Sequence, residues 1–474
     1  MILPRRPLLM GAAAASLLAG AAHAQTADQL GEWHGVLDLG SQRLRLRLVL
    51  AEGSRATLVS VDQGNVEIPA VSTTIEGDEL VIDLSNIGAR YEGRFVSGRI
   101  VGTFTQRAAM PLTFTREAAA PAAQSEGLTQ ARLEALRVQA GSPAMAAAGA
   151  NRDGRALSFA VGLRAVGRPE LVTRADQWHL GSITKSMTAT LVARAVEAGR
   201  VSWSDTVGGV LGGVIPDMRA EYRDVTFRHL LCHRAGLASN LEWAELLAFP
   251  RESADARQDR IAYARLGLAR APAGAKETHF EYSNSGYVIA GAMLEAKLGA
   301  PWEDLIREHV FASLGMASAG FGAPGRAGVY DQPVGHGPGL EAIAAGQDNG
   351  ELTPFPPGGM SDNPAVLGPA GRVHADFADT LKYLAAHRDR SAFLRRESWD
   401  GLHTPPFGGG YAMGWMTRET GALWHNGSNT LWYAEVLVDP ARGVVSAAAT
   451  NDGRIANVAV PIGGALLGAA QAVI

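Results

Sequence analysis

The stretch Gly181-Ser182-Ile183-Thr184-Lys185 opens a segment with helical periodicity. Apolar side chains recur at helical spacing over residues 183–195, and Gly199 follows where a C′ glycine would end the helix. Ser182 is therefore predicted at a helix N-terminus, where the dipole and the free backbone N–H groups favour negative charge. Lys185 follows three residues later, so its side chain shares a helix face with Ser182.

This pair has the chemistry of an activated nucleophile. A serine hydroxyl reacts poorly until a base accepts its proton, and a lysine can be that base when burial or positive charge lowers its pKa. The chain has only four lysines, so chance would give about 0.2 serine-x-x-lysine pairs. A second interpretation also fits the pair alone, in which Ser182 only caps the helix.

Two downstream motifs favour the catalytic interpretation. Glu281-Tyr282-Ser283-Asn284 precedes a predicted helix, and His425-Asn426-Gly427-Ser428 is predicted to lie just before a strand at 432–438. Serine-x-x-lysine, tyrosine-x-asparagine and histidine-x-glycine in this order resemble the serine β-lactamase and penicillin-binding-protein superfamily. The similarity is greatest to its D,D-peptidase, class C β-lactamase and class VIII esterase branches, and it extends from about residue 130 onwards.

The resemblance implies a role for each matching residue. Ser182 is expected to attack a carbonyl carbon and form an acyl-enzyme, while Lys185 and Tyr282 handle the proton. A nearby ammonium can favour the phenolate form of Tyr282. Asn284 is expected to hydrogen-bond to the substrate or to Lys185. The backbone N–H groups of Ser182 and Ser428 are expected to form the oxyanion hole, which stabilises the charge of the tetrahedral intermediate.

The third motif departs from the common pattern of this superfamily, because His425 stands where lysine is more usual. His425 and Gly427 are expected to line the substrate site. Two roles stay open for the histidine: it steadies the proton of the tyrosine, or it contacts a substrate carboxylate with a charge that depends on pH.

A rival second motif is present at Ser361-Asp362-Asn363, which spells the S-D-N of class A β-lactamases. It lies 179 residues after Ser182 in a Gly- and Pro-rich stretch, and no predicted helix follows it directly. Tyr282-Ser283-Asn284 has the better interval and context, so residues 361–363 are interpreted as a plain loop.

The pattern along the chain predicts two domains. Residues 25–116 alternate apolar and polar side chains between turn glycines, which predicts six to eight short strands in a small all-β barrel or sandwich. Residues 117–127 are rich in Ala, Pro and Ser and predict a linker. Residues 128–474 mix helical periods with strands at both ends, so an α/β (α+β) domain with an antiparallel sheet and a helical subdomain is expected. The resemblance gives the same domain a β-lactamase/transpeptidase-like fold.

Residues 1–24 are interpreted as a signal peptide. Arg5 and Arg6 precede an apolar run that ends in Ala22-His23-Ala24, a typical cleavage site. The adjacent arginines also fit an incomplete twin-arginine signal. A secreted or periplasmic protein is therefore expected, and no other segment is predicted to anchor it stably in a membrane.

Composition excludes several function classes. The net charge of −4 and the lack of a Lys/Arg run argue against a nucleic-acid partner. The single cysteine, Cys232, excludes an intramolecular disulfide. No paired-ligand spacing predicts a metal site, and no cofactor is expected.

The sequence therefore predicts a serine hydrolase that acts on a small-molecule or peptide substrate. An ester or an amide is the first expectation, as in esterases, D,D-peptidases and D-aminopeptidases. A β-lactamase is the alternative within the same chemistry. A non-catalytic penicillin- or peptide-binding protein that retains the fold is the alternative of another class.

Overall fold

The computed structural model describes residues 28–38, 43–60, 66–85, 88–106, 108–116, 127–339 and 350–474. The chain divides into two compact units, Met1–Ala120 and Pro121–Ile474. The predicted signal peptide (1–24) and residues 117–126 of the predicted linker lie outside the described residues.

The first unit is one antiparallel sheet, whose order is β4-β3-β2-β1-β9-β8-β7-β6-β5. Its strands are β1 Gly31–Asp38, β2 Arg43–Ala51, β3 Arg55–Ser60, β4 Val66–Pro69, β5 Ser72–Glu76, β6 Glu79–Leu84, β7 Ala89–Val96, β8 Arg99–Gln106 and β9 Ala108–Thr115. The segment between the two edge strands joins both ends of the sheet, since Ala70 N–H donates to Ala56 O and Val71 N–H donates to Asp83 O. The described strands thus form a single curled sheet of nine strands, which confirms the all-β prediction, although six to eight strands were expected.

Aromatic side chains fill the inside of this curled sheet. Trp33, Tyr91 and Phe114 are at most 2% exposed, and the Tyr91 hydroxyl donates to Leu112 O at 3.1 Å. The Arg116 guanidinium lies 3.7 Å from the centroid of the Trp33 ring, a cation–π contact. The alternating leucines of β2 point into this core, as the period of two predicts.

The second unit is built on a six-stranded antiparallel sheet of order β11-β10-β20-β19-β18-β17. Its strands are β10 Ala144–Asn151, β11 Ala156–Gly162, β17 Met416–Thr417, β18 Leu423–Ser428, β19 Tyr433–Asp439 and β20 Val444–Thr450. Short strands β12 Trp178–His179, β13 Gly320–Phe321 and β16 Val373–Ala375 make a second sheet, and β14 Gly335–Pro338 pairs with β15 Leu352–Phe355.

Helices cover both faces of the six-stranded sheet and form a subdomain beside it. They are α1 Gln130–Ala140, α2 Thr184–Glu197, α3 Val207–Leu211, α4 Phe227–Leu231, α5 Trp243–Leu247, α6 Ala256–Ala269, α7 Asn284–Leu298, α8 Trp302–Ile306, α9 Gly368–Gly371, α10 Phe377–Asp389, α11 Arg396–His403 and α12 Ile455–Ala472. Strand β10 shows the two-faced packing, since Met145 and Ala147 pack with α1 and α12 while Ala146 and Ala148 pack into the larger core on the other face. The α/β expectation with an antiparallel sheet and a helical subdomain is confirmed.

Two helical segments of this unit have irregular features. The last helix, α12, begins at Ile455 and contains Pro461. It is also long and apolar enough, by length and composition, to cross a membrane. Val458, Ile462 and Ala465 on its inner face are nevertheless fully buried in the core beneath the sheet, as in a core helix of a globular domain. Helix α8 ends at Ile306, because residues Arg307–Ala312 form a π-helical turn.

Candidate active site

Ser182 lies in a short 3-10 turn, Gly181–Ile183, which leads directly into α2. The turn starts with Gly181 at φ +49°, a left-handed conformation that glycine adopts without a steric penalty. Ser182 thus lies two residues before the first α-helical residue, Thr184. It was predicted at the helix N-terminus itself, so the structure differs from the prediction only by the 3-10 turn.

The ammonium group of Lys185 has three polar partners. Lys185 Nζ lies 2.9 Å from Ser182 Oγ, 2.7 Å from Asn284 Oδ1 and 2.8 Å from Ala370 O. The last two atoms only accept hydrogen bonds, whereas the serine hydroxyl can also donate. A neutral amine has two N–H groups and one lone pair, so it satisfies Asn284 and Ala370 and keeps the lone pair for the Ser182 proton.

Burial favours this neutral form. The Lys185 side chain is fully buried, and burial lowers its pKa well below the ordinary value. Its Nζ also lies 4.8 Å from the centroid of the Tyr282 ring. The geometry and the electrostatics of Lys185 both suit a general base for Ser182.

Tyr282 is hydrogen-bonded to Ser182 and is half-buried. Burial raises the pKa of Tyr282 above its ordinary value, and its hydrogen bond with Ser182 only partly opposes this effect. The resting form is therefore the phenol, which differs from the phenolate that a neighbouring ammonium would favour. A phenol that is hydrogen-bonded to the nucleophile can give its proton to a leaving group.

Asn284 is positioned by the start of α7. Ser283 caps this helix, since its side chain accepts from Gly286 N–H at 3.1 Å. Asn284 Nδ2 donates to Asn240 Oδ1 at 2.9 Å, which turns its Oδ1 atom towards Lys185. Of the two contacts expected for Asn284, the one with Lys185 is present.

The third motif precedes β19, the strand predicted at 432–438, and it also forms the end of a strand of its own, β18, which the sequence did not predict. Residues 425–428 belong to β18 and pair with β19. Strand β17 covers only Leu423 and Trp424 on the other edge. Gly427 passes so close to the nucleophile turn that a Cβ atom there would lie 2.6 Å from Ser182 N. A Cβ atom on Gly181 would likewise lie 2.4 Å from Ser428 N, so two glycines bring the two expected oxyanion donors together.

Both ring nitrogens of His425 have partners within the protein. Nδ1 lies 2.5 Å from the Asn426 carbonyl oxygen, so it carries the proton, and Nε2 accepts from the Tyr411 hydroxyl at 2.9 Å. Burial, together with the nearby Lys185, lowers the pKa of His425 to about 3. The imidazole is thus neutral and held in place. Its contact with a substrate carboxylate stays a prediction.

An aromatic wall surrounds Tyr282. The His233 ring centroid is 4.4 Å from that of Tyr282, and Tyr411 meets Tyr282 edge-on at 6.3 Å. His233 Nδ1 accepts from Ser283 N–H at 3.0 Å. The burial of His233 and this hydrogen bond fit a structural role.

Sequence reasoning missed three contributors to the site. Asn240 orients Asn284, Tyr411 holds His425, and Ala370 offers its carbonyl oxygen to Lys185. Of the three, only Ala370 lies in a distinctive local pattern, because it stands between Pro369 and Gly371. Within the described ranges, no group of three His, Cys, Asp or Glu side chains is placed to hold a metal ion.

Comparison with known proteins agrees with this geometry. The Beta-lactamase family model matches residues 128–461, which is more than half of the chain. Penicillin-binding protein 4 of Amycolatopsis lactamdurans is 28% identical over 345 residues, covering 68% of this chain and 84% of its own. The three motifs and the residues of the candidate site therefore all lie within the matched residues.

Two solved structures share the fold. The D-amino acid amidase from Ochrobactrum anthropi SV3, complexed with L-phenylalanine amide, aligns with a TM-score of 0.55 at 21% identity over 72% of this chain and 96% of its own. EstCE1, a hydrolase with promiscuous acyltransferase activity, aligns with a TM-score of 0.56 at 18% identity over 73% and 98%. This chain belongs to the beta-lactamase family and is a serine hydrolase of that family.

Proposed function

We propose that this hydrolase cleaves an ester or an amide through an acyl-enzyme on Ser182. The observation that carries the proposal is the position of Lys185 Nζ, 2.9 Å from Ser182 Oγ with its two other partners both acceptors. A buried lysine in that arrangement is deprotonated and has its lone pair directed at the nucleophile.

Acylation then proceeds in two proton steps. Lys185 takes the Ser182 proton as Oγ bonds to the substrate carbonyl carbon. The tetrahedral oxyanion is stabilised by the backbone N–H groups of Ser182 and Ser428. When the bond from the carbonyl carbon to the leaving oxygen or nitrogen breaks, Tyr282 gives that atom a proton and receives one back from Lys185.

Deacylation uses the same groups in reverse. Water attacks the ester carbon and gives its proton to the Lys185–Tyr282 pair. The bond between Ser182 Oγ and the acyl carbon breaks, and the proton returns to Oγ. The free acid leaves and the resting site is restored.

The neutral third motif bears on the choice of substrate. His425 carries no charge near neutral pH, so it offers no cation to a substrate carboxylate. The other lysines pair elsewhere: Lys276 with Asp224, Lys297 with Asp205 and Lys382 with Asp379. An ester or amide without a carboxylate beside the scissile bond therefore suits the site better than a β-lactam. Of the two solved structures that share the fold, one is named as a D-amino acid amidase and the other as a hydrolase with promiscuous acyltransferase activity.

The proposal is tested with intact-mass measurements and rates on the full-length chain. Wild type, Ser182→Ala and the exposed control Ser313→Ala are incubated with a fluorophosphonate, a fluorescent penicillin, p-nitrophenyl butyrate and D-phenylalanine amide. We expect a single covalent adduct and ester or amide turnover in wild type and Ser313→Ala, and neither in Ser182→Ala. If no probe gives a Ser182-dependent adduct or turnover, the chain is a binding protein and the proposal fails. Faster turnover of a cephalosporin than of either acyl substrate would instead favour the β-lactamase alternative.

A further inference from the structure

The loop residue Asp362 lies at a junction between the two halves of the expected oxyanion hole. It is 7% exposed although it belongs to an irregular segment. Its Oδ1 atom accepts from Asn429 Nδ2 at 2.8 Å and lies 3.1 Å from His179 Nε2. Its Oδ2 atom accepts from Arg372 Nε at 3.0 Å.

One arm of this junction reaches the nucleophile turn. His179 Nδ1 accepts from Gly181 N–H at 3.1 Å, so the ring proton is on Nε2 and faces the Asp362 carboxylate. That Nε2 contact is short but poorly aligned for a hydrogen bond. The His179 ring also stacks on Trp432 at 5.4 Å. Asp362 thereby fixes the tautomer and the orientation of the ring that holds the residue before Ser182.

The other arm reaches the end of β18. Asn429 follows Ser428 directly, and its Oδ1 atom accepts from the backbone N–H groups of Leu431 and Trp432. Its Nδ2 atom donates to Asp362, so Asn429 is clamped between this turn and the carboxylate. Asn429 is the residue that follows Ser428, so this clamp restrains the end of β18, which carries Ser428 N–H.

Other residues hold the Asp362 carboxylate and its backbone in place. Although burial alone would raise the pKa of Asp362, the contacts with His179 and Arg372 keep it below its ordinary value. Arg251 Nε donates to the Asp362 carbonyl oxygen at 3.0 Å and fixes the backbone. A buried, charged and fully engaged carboxylate of this kind holds its partners in one geometry.

We infer that Asp362 is a positioning residue that sets the distance between Ser182 N–H and Ser428 N–H through His179 and Asn429. This inference deepens the proposed function and rests on it, since it concerns the oxyanion hole of that reaction. Asp362 itself touches neither the nucleophile nor Lys185 in the contacts described above. Its effect is therefore on the transition state, where the oxyanion needs both donors, and not on substrate binding.

The test compares Asp362→Asn with Asp379→Asn in the full-length chain. Asp379 is a matched control, because it is also a buried aspartate and accepts from Ser318 and Lys382 away from the turn. Active sites are first titrated with a fluorophosphonate, so that kcat refers to folded enzyme. We expect Asp362→Asn to lower kcat by about 10- to 100-fold with KM changed less than about threefold. The affinity for a trifluoromethyl ketone analogue, which presents an oxyanion, should fall in the same proportion.

A merely structural role gives a different pattern. It lowers the melting temperature and the titrated fraction in both variants while kcat for each active site stays at the wild-type value, and that result overturns the inference. Absence of turnover in wild type would instead overturn the proposed function.

A second pair of variants covers the case in which Asp362→Asn does not fold. Asn429→Asp keeps the acceptor for Leu431 and Trp432 but sets two carboxylates against each other, so the same loss of kcat is expected. The double variant Asp362→Asn/Asn429→Asp restores one donor and one acceptor across the contact, and its kcat should exceed that of Asn429→Asp. Unchanged kcat in Asn429→Asp, or no recovery in the double variant, contradicts the inference.

Discussion

The close approach of β18 to the nucleophile turn predicts a sharp effect of Gly427→Ala. A Cβ atom at residue 427 would lie 2.0 Å from Leu180 O, 2.6 Å from Ser182 N and 3.0 Å from Gly181 C. All three are backbone atoms, so no side chain can rotate away. Since Cβ atoms essentially never approach closer than 3.0 Å, the strand must move by about 1 Å from the turn.

A displacement of that size acts directly on the oxyanion hole. The loss of one oxyanion donor costs about 100- to 1000-fold in kcat, and a 1 Å misplacement of a catalytic group costs about 100-fold. We therefore expect kcat of Gly427→Ala to fall by about 100-fold or more. Overpacking in the turn should also lower the unfolding free energy by about 1–3 kcal/mol.

The measurement is steady-state kinetics on the ester substrate, normalised by active-site titration, together with urea unfolding. Gly401→Ala is the matched control, because nothing lies within 4 Å of a Cβ atom there and the residue is inside helix α11. That control should keep kcat and gain about 0.5–1 kcal/mol of stability. If Gly427→Ala keeps kcat within about threefold of wild type, Ser428 N–H does not stabilise the oxyanion and the proposed site geometry is wrong.

Two other perturbations follow from buried ionisable groups. Lys185→Met removes the base, so kcat should fall by about 100- to 10,000-fold, as measured on the ester. Because burial lowers the pKa of Lys185 in the folded state, the unfolded chain binds its proton more tightly and wild-type stability rises with pH towards the ordinary lysine pKa. The unfolding free energy of Lys185→Met should therefore rise less steeply between pH 7 and pH 10, and an unchanged slope would show that Lys185 is protonated in the folded enzyme. Glu435 accepts from Tyr433 and Trp424, and burial raises its pKa to about 7 despite the nearby Arg418. Folding favours the protonated form of Glu435. The unfolding free energy of wild type should therefore fall by about 3 kcal/mol between about pH 4 and pH 8 relative to that of Glu435→Gln. The same pH dependence of the unfolding free energy in both proteins would contradict this.

The sequence was sufficient for features that depend on local pattern or on motif order. Ser182, Lys185, Tyr282 and Asn284 meet in space because they lie in or just before the first turns of two helices, α2 and α7, that pack together. Helical periodicity placed those helices, and α2 ends just before Gly199, as predicted. The period of two located the strands of both units in the same way.

Features that depend on long-range packing could not be predicted. His425 was open to two roles because its charge depends on burial and on Tyr411, which lies in a separate segment. The end of β18 was placed outside a strand because Gly427 and the polar residues beside it weaken the β signal. The carbonyl of Ala370 carries no side-chain signature at all, yet it is one of three partners of Lys185.

Ser361-Asp362-Asn363 shows where motif reasoning reaches its limit. The tripeptide was set aside as the second catalytic motif, and in the structure it is Asn284 that contacts Lys185. The interpretation as a plain loop was incomplete, however, because a surface loop would not bury Asp362 against Arg372, His179 and Asn429. An aspartate is stable in such a place only when hydrogen bonds and opposite charge offset its desolvation, so its partners must be as fixed as it is. Two of those partners flank the expected oxyanion donors. The same burial that hides Asp362 from sequence patterns is what lets a loop residue determine the geometry of the site.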